Sequence, residues 1–347
     1  MLCYALCAEI THNFIKFMLS TQGVSPALDA VRKLIGADMQ AVDLLIRQRL
    51  DSDVVLIRQV SEYIIAGGGK RLRPALVLLA AGGLGYRGQD HHELAAVVEF
   101  IHTATLLHDD VVDESELRRG RDTANARFGN PASVLVGDFL YSRSFQMMVG
   151  LSNLRVLEVL ADATNIIAEG EVMQLLNVHD ADVDEARYLE VVRRKTSKLF
   201  EAAARLGAII GGASQPVEEG LSRYGAHLGT AFQLLDDVLD YSGDLEQTGK
   251  NLGDDLNEGK PTLPLIHVML RGTAEQVRVV RDAIEKGGRD SFDEVLAAIH
   301  STGALDYSRN QARREAQMAC AAIAVLPESA FKDSLVELAS FAAERDH

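Results

Sequence analysis

The chain predicts an all-α fold, a single bundle of helices around a central cavity, on three observations. Ala, Leu, Val and Glu dominate a sequence that is 47% hydrophobic, with 5% aromatics and 7 Pro. That mixture favours helix over strand. Apolar residues recur at three- and four-residue spacing, and no stretch shows the alternation, bounded by turn residues, of a half-buried strand. No repeat, low-complexity tract or long linker divides the 347 residues, so one domain over 26–347 is the economical reading.

Residues 1–25, beginning MLCYALCAEITHNFIKFMLS, lack a basic start and a small-residue cleavage site; they read as a disordered or loosely packed extension, not a signal peptide. Over 27–50, Leu28, Val31, Leu34, Ile35, Met39, Val42, Leu45 and Ile46 form an apolar helical stripe. A second helix over 52–65 stops at Gly67-Gly68-Gly69. Lys70, Arg71 and Arg73 follow, and Pro74 opens a third helix that ends at Gly82-Gly83. From about His91 a long helix carries Leu94, Val97, Val98, Ile101, Ala104, Thr105 and His108 into LLHDDVVDESELRRG at 106–120. Beyond a loop at 114–131, helices are expected over 132–150, 153–177, 184–210 and 217–241. The third of these holds Lys195-Thr196 near its middle, and the fourth ends in FQLLDDVLD. A polar loop with Gly243, Gly249, Gly253 and Gly259 carries Lys250 and Lys260. Four or five shorter amphipathic helices follow from Thr262.

A formal net charge of −15 argues against nucleic-acid binding, which needs a basic face. The cysteines, Cys3, Cys7 and Cys320, are few and odd in number, as in a cytoplasmic protein with reduced thiols. No apolar run is long enough to span a bilayer.

Two acidic clusters carry the chemistry. In the first, Asp109 and Asp113 stand four residues apart, on one face of a helix, with Asp110 beside them and Arg118 and Arg119 just beyond. Such carboxylates repel one another unless a cation sits between them, and a hard divalent ion, above all Mg²⁺, takes oxygen ligands of this kind. The neighbouring arginines suit an anionic partner such as diphosphate. A solvated acidic helix end would look the same in isolation. Asp236, Asp237 and Asp240 repeat the DDxxD spacing after Phe232, Leu234 and Leu235. Carboxylates beside so much apolar surface are expensive unless paired or metal-bound. Two clusters facing one cavity could hold several Mg²⁺ ions on one diphosphate.

With these motifs the chain resembles the trans-isoprenyl diphosphate synthases of the polyprenyl synthetase family, from about residue 38 to the C-terminus. The resemblance rests on GGGKRLRP at 67–74, LLHDDVVDESELRRG, GNPASVLVGDFLYSR at 129–143, KTSKLF at 195–200, FQLLDDVLDYSGD at 232–244 and GKNLGDDLNEGKPTLPL at 249–265. Within the family it is most similar to the bacterial long-chain enzymes that make ubiquinone side chains. The resemblance implies an isoprenoid synthase fold, a homodimer, and condensation of isopentenyl diphosphate with an allylic diphosphate such as farnesyl diphosphate, with three Mg²⁺ ions. It also leaves room for transient membrane contact as product leaves.

Matched residue by residue, the family pattern makes Asp109, Asp113 and Asp236 metal ligands, with Asp110, Asp237 and Asp240 direct, water-mediated or one step removed. Arg118, Lys195 and Lys260 match the grip on the allylic diphosphate. Lys70, Arg73, His102 and Arg119 match a purely basic site for isopentenyl diphosphate, and Thr196 and Gln233 match residues that hold the cation with side-chain oxygens. No side chain offers itself as the final base, a role the family leaves to the released diphosphate.

Ala104 and Thr105 lie roughly 6–7 Å down the helix from Asp109. Short-chain farnesyl synthases commonly place a bulky aromatic near there, so these small residues imply an open tunnel and a long product, with Met147 and Met148 as candidates for its floor. Close helix packing accounts for the same residues equally well. Three other readings are a short-chain synthase, a non-catalytic subunit of a heteromeric synthase and a class I terpene cyclase. Non-catalytic subunits usually lose one acidic cluster, and cyclases normally replace the second with an Asn, Ser or Thr and Glu pattern.

Overall fold

The structure, a computed structural model, describes residues 26–118, 120–242 and 252–344. The extension at 1–25, Arg119 and the loop segment with Gly243, Gly249 and Lys250 lie outside them. Helices α1 (Pro26–Arg49), α2 (Val55–Ala66), α3 (Leu72–Gly83) and α4 (Asp90–Val112) come first. A hairpin, β1 (Leu117–Arg118) and β2 (Arg121–Asp122), and the short α5 (Ala124–Phe128) lead to α6 (Asn130–Gly150), α7 (Leu154–Asn177) and α8 (Glu185–Val192). A π turn over Arg193–Ser197 joins α8 to α9 (Lys198–Ile210), and α10 (Gln215–Ser242) follows. The remainder is α11 (Asp254–Asn257), α12 (Leu263–Arg271), α13 (Ala274–Lys286), α14 (Phe292–Thr302), α15 (Ala304–Ala322) and α16 (Ala330–Glu344).

The all-α expectation holds, with two local corrections. Residues 117–122 pair as an antiparallel hairpin, Leu117 opposite Asp122, around Gly120 at φ +70°. Strands two residues long are below the length at which alternation can be read. The single helix expected over 184–210 is interrupted by the π turn, because that segment is wedged between two glycines. A Cβ on Gly170 of α7 would lie 2.6 Å from the Lys195 amide nitrogen, and one on Gly229 of α10 would lie 2.6 Å from the Ser197 Cα. Ser197 Oγ donates to the Val192 carbonyl at 3.2 Å, five residues back.

Helix α4 is the central strut. Leu94, Ala95, Ala96, Val97, Val98, Ile101 and Ala104 have no exposed surface, so it is apolar around most of its girth instead of along one stripe. Pro74 to Ala81 of α3 are all buried as well. Helix α9 closes onto α3 at Gly207, where any Cβ would meet Ala80 Cβ and the Val77 carbonyl at 2.6 Å. This packing fixes the ends of α4 and α10, which carry the acidic clusters. The start of α4 is tied to α1 through His92 Nε2 and Asp38 Oδ1, 3.0 Å apart.

Candidate active site

Asp109 sits in the last turn of α4, and Asp113 is its C-cap, its amide donating to the Asp109 carbonyl at 2.8 Å. Each carboxylate has a lysine beside it. Lys195 Nζ lies 3.6 Å from Asp109 Oδ2 and 2.5 Å from Glu171 Oε2; Lys260 Nζ lies 2.8 Å from Asp113 Oδ2 and 2.5 Å from Glu258 Oε2. All four charged groups of these two pairs are less than one-fifth exposed. Burial, opposed by Lys195 and reinforced by Asp113, raises the pKa of Asp109; burial likewise brings Glu171 up to about 7 and raises Glu258. Burial works against the charge of Lys260, but Asp255, Asp113 and Glu258 outweigh it and hold the ammonium above the usual lysine range. The site thus gathers more carboxylate than two lysines neutralise, and a hard divalent cation fits that donor set.

The middle aspartates turn elsewhere. Asp110 is 4% exposed, and its Oδ1 accepts from Arg118 Nε at 2.8 Å and from Nη2 at 2.7 Å. Asp237 is 2% exposed; its Oδ2 accepts from the Tyr188 hydroxyl at 2.5 Å and its Oδ1 from Gln233 Nε2 at 2.7 Å. Burial, reinforced by the charge of Asp255, pushes Asp237 up to about 8, against the pull of these two hydrogen bonds. Asp240 anchors the following loop: its Oδ2 accepts from the Asp255 amide at 3.3 Å and its carbonyl from the Gly253 amide at 2.9 Å. Asp236 precedes this pair on α10, four residues before Asp240.

The π turn spans the two clusters. Lys195 reaches Asp109 on α4, while its neighbour Thr196 donates to Gln233 Oε1 on α10 at 3.0 Å. Lys260 makes a second bridge, from the loop anchored on Asp240 to Asp113. Successive residues of an unbroken α-helix point about 100° apart; here two of them serve opposite walls of one site.

Of the basic run after the glycines, Lys70 Nζ lies 5.9 Å from the centre of the Phe232 ring, beside Gln233, and the Arg73 guanidinium stacks 4.2 Å over Phe200. Arg71 has a different task. Left-handed at φ 51°, it pairs with Glu99 at 2.5 Å and Asp43 at 3.5 Å, joining the start of α3 to α4 and α1. His102 shares a cavity of about 110 Å³ with Gly67, Gly68, Phe100, Arg118 and Arg121. Ala104 and Met148 are wholly buried, Met147 is 6% exposed, and all three belong to the main core. Thr105 is half-buried, its hydroxyl donating to the His102 carbonyl at 2.8 Å. None of these four lines that cavity. Met147 and Met148 lie on α6, which packs along α4.

Three residues of this site carried no signal strong enough to single them out in the sequence. Glu171 and Tyr188 sit on helices of their own, with no spacing that links them to either cluster. Glu258 lies in the GKNLGDDLNEGK run, where its closeness to Lys260 could have flagged it.

The family model for polyprenyl synthetase matches residues 54–300. The chain is 55% identical over 320 residues to the octaprenyl diphosphate synthase of Escherichia coli (strain K12), covering 92% of this chain and 99% of that one. It is 46% identical over 312 residues to an all-trans-nonaprenyl-diphosphate synthase of Rhodobacter capsulatus, covering 90% and 96%. Among solved structures, the polyprenyl synthase of Caulobacter crescentus CB15, complexed with calcium and isoprenyl diphosphate, superposes with a TM-score of 0.89 at 45% identity, covering 92% of this chain and 98% of that one.

Proposed function

The chain belongs to the polyprenyl synthetase family, and on that premise we propose that it elongates an allylic diphosphate, farnesyl diphosphate in our reading, by repeated head-to-tail condensation with isopentenyl diphosphate to all-trans octaprenyl diphosphate, the precursor of a ubiquinone side chain. The observation that carries this is the π turn, from which Lys195 and Thr196 serve opposite acidic clusters. Diphosphate charge and the carbon it leaves then meet adjacent residues.

In this reading Asp109, Asp113 and Asp236 hold three Mg²⁺ ions, a donor set of hard oxygens that suits them. When bound, the metal supplies positive charge against the departing diphosphate. Arg118, Lys195 and Lys260 add cationic donors to the same oxygens, where preorganised charge acts in a partly dry site. Lys195 and Lys260, paired with Asp109 and Asp113, would be free to turn toward a diphosphate wherever those carboxylates were engaged by a cation. Isopentenyl diphosphate is held apart by Lys70, Arg73, His102 and Arg119, without metal, so that it is not itself ionised. Thr196 and Gln233 present oxygen dipoles to the allylic cation. The double bond of isopentenyl diphosphate attacks that cation, and the proton then lost passes to the released diphosphate. Ala104 and Thr105 open the path for the growing chain, with Met147 and Met148 toward its end.

The protein works as a homodimer in the cytoplasm in this reading. Support comes from the exposed apolar side chains Leu135, Phe145 and Val149 of α6 and Val172, Leu175 and Leu176 of α7. No described helix is long and apolar enough to cross a membrane, and any membrane contact for product release is transient. The domain extends over 26–347, with 1–25 outside it.

The test is incubation of purified protein with isopentenyl and farnesyl diphosphates and Mg²⁺, followed by product mass determination. Octaprenyl diphosphate is expected as the main product. Absence of elongation by folded protein removes the reading; arrest at geranylgeranyl diphosphate replaces it with a short-chain synthase.

A further inference from the structure

Four buried or half-buried side chains form one hydrogen-bonded chain whose polarity the chemistry fixes. Tyr188 of α8 meets Asp237 Oδ2 at 2.5 Å, Gln233 Nε2 meets Asp237 Oδ1 at 2.7 Å, and Thr196 Oγ1 meets Gln233 Oε1 at 3.0 Å. A carboxylate oxygen without a proton only accepts, so Gln233 must turn its NH₂ toward Asp237 and its carbonyl toward Thr196. The Thr196 hydroxyl hydrogen is then committed to Gln233, and its lone pairs point away from the chain. A proton on Oδ2 of Asp237 would not reverse this, because Oδ1 still accepts from Gln233.

Both ends of Asp237 are occupied, and among the described residues Tyr188 holds Oδ2. Tyr188 itself is 7% exposed and packs with Val192, Leu234 and Leu263. Its hydroxyl is therefore a buried polar group with one evident purpose, because without Asp237 it would carry the full desolvation cost.

We propose that Tyr188 is a positioning residue for the condensation: through Asp237 it locks the amide of Gln233 so that the Thr196 oxygen, not its hydrogen, faces the forming allylic cation. The inference rests on the proposed prenyl transfer, and it adds a residue that touches neither substrate nor metal. An oxygen dipole aimed at the cation stabilises it, whereas a hydroxyl free to rotate gives up part of that stabilisation by having to reorganise during the reaction.

The experiment is a double-mutant cycle of Tyr188→Phe and Thr196→Val, read as the single-turnover rate of condensation, with KM for both diphosphates and the Tm measured on every variant. Tyr188→Phe keeps the ring and removes only the hydroxyl. It is expected to slow single turnover about tenfold while leaving both KM values within about twofold. In the Thr196→Val background the same change is expected to cost less than twofold, because its target is already gone. Multiplicative effects, or an unchanged rate for Tyr188→Phe, would overturn the proposal. A fall in Tm that tracks the rate, with both KM values raised, would reduce Tyr188 to a packing role and likewise overturn it. A wild-type protein that fails to elongate would instead remove the underlying reading, so the two failures are distinct.

Discussion

The two acidic clusters share one spacing and differ in how their middle aspartate is kept. In the first, Asp110 is buried against the Arg118 guanidinium, which contacts Oδ1 through both Nε and Nη2. In the second, Asp237 is buried and, among the described residues, is held by two neutral donors, Tyr188 and Gln233. Burial accordingly brings Asp237 up to about 8. One motif thus yields two devices. Its outer aspartates share a face, while the middle one, about 100° around the helix, serves whatever the neighbouring element supplies. At the first cluster that element is the hairpin; at the second it is α8, and the carboxylate is coupled to the Gln233 amide.

The comparison can be broken first at the outer aspartates. Asp109→Ala and Asp236→Ala are each expected to lower kcat by about a thousandfold or more, since in the proposed reading each removes part of the clamp on the leaving group. Incorporation of labelled isopentenyl diphosphate checks this. A near-normal rate in either would end the equivalence of the two walls.

Next come the middle aspartates, where the expected effects part company. Asp110→Asn leaves Arg118 without its charge partner, but the arginine is 29% exposed. A loss of about 1–2 kcal/mol in chemical denaturation is therefore expected, well below the cost of breaking a fully buried pair. Asp237→Asn offers one acceptor where Gln233 and Tyr188 both donate, so either Gln233 turns or the Tyr188 hydroxyl must accept and its donation is lost. About a tenfold fall in rate is expected, with less loss of stability than in Asp110→Asn. A reversed ranking on either scale would show that the two devices have been assigned the wrong way round.

The smallest effect on rate belongs to Ala104→Tyr. Ala104 is wholly buried, so the ring must either enter an apolar path or overpack the core at a cost of about 1–3 kcal/mol. We expect turnover to remain measurable and the main product to shorten to about fifteen or twenty carbons, as the added ring occupies chain volume. Product chromatography separates the cases: an unchanged length with a lowered Tm would assign Ala104 to helix packing.

What the sequence made legible follows from what is local. Three-four periodicity located the helices that pack as a bundle, because each has its own apolar surface to bury. The i, i+4 aspartates were visible because helical spacing alone puts them on one face. The π turn was not, since it depends on Gly170 and Gly229, which lie far from Lys195 in sequence and offer bare backbone to it. Arg71, Lys70 and Arg73 form one basic run, yet Arg71 is turned to Glu99 and Asp43 while the others lie against Phe232 and Phe200. That division needs the left-handed backbone at Arg71, which charge patterning does not encode. Tyr188 was silent for the same reason: its partner is 49 residues away on another helix.

In the proposed reading both clusters hold one metal–diphosphate assembly. It is tested most directly by equilibrium binding of Mn²⁺, followed by paramagnetic resonance, with inorganic diphosphate present. More than one tightly held Mn²⁺ per chain is expected, dependent on diphosphate and weakened together by Asp109→Asn or Asp236→Asn. Binding at one cluster that is indifferent to substitution at the other would contradict it.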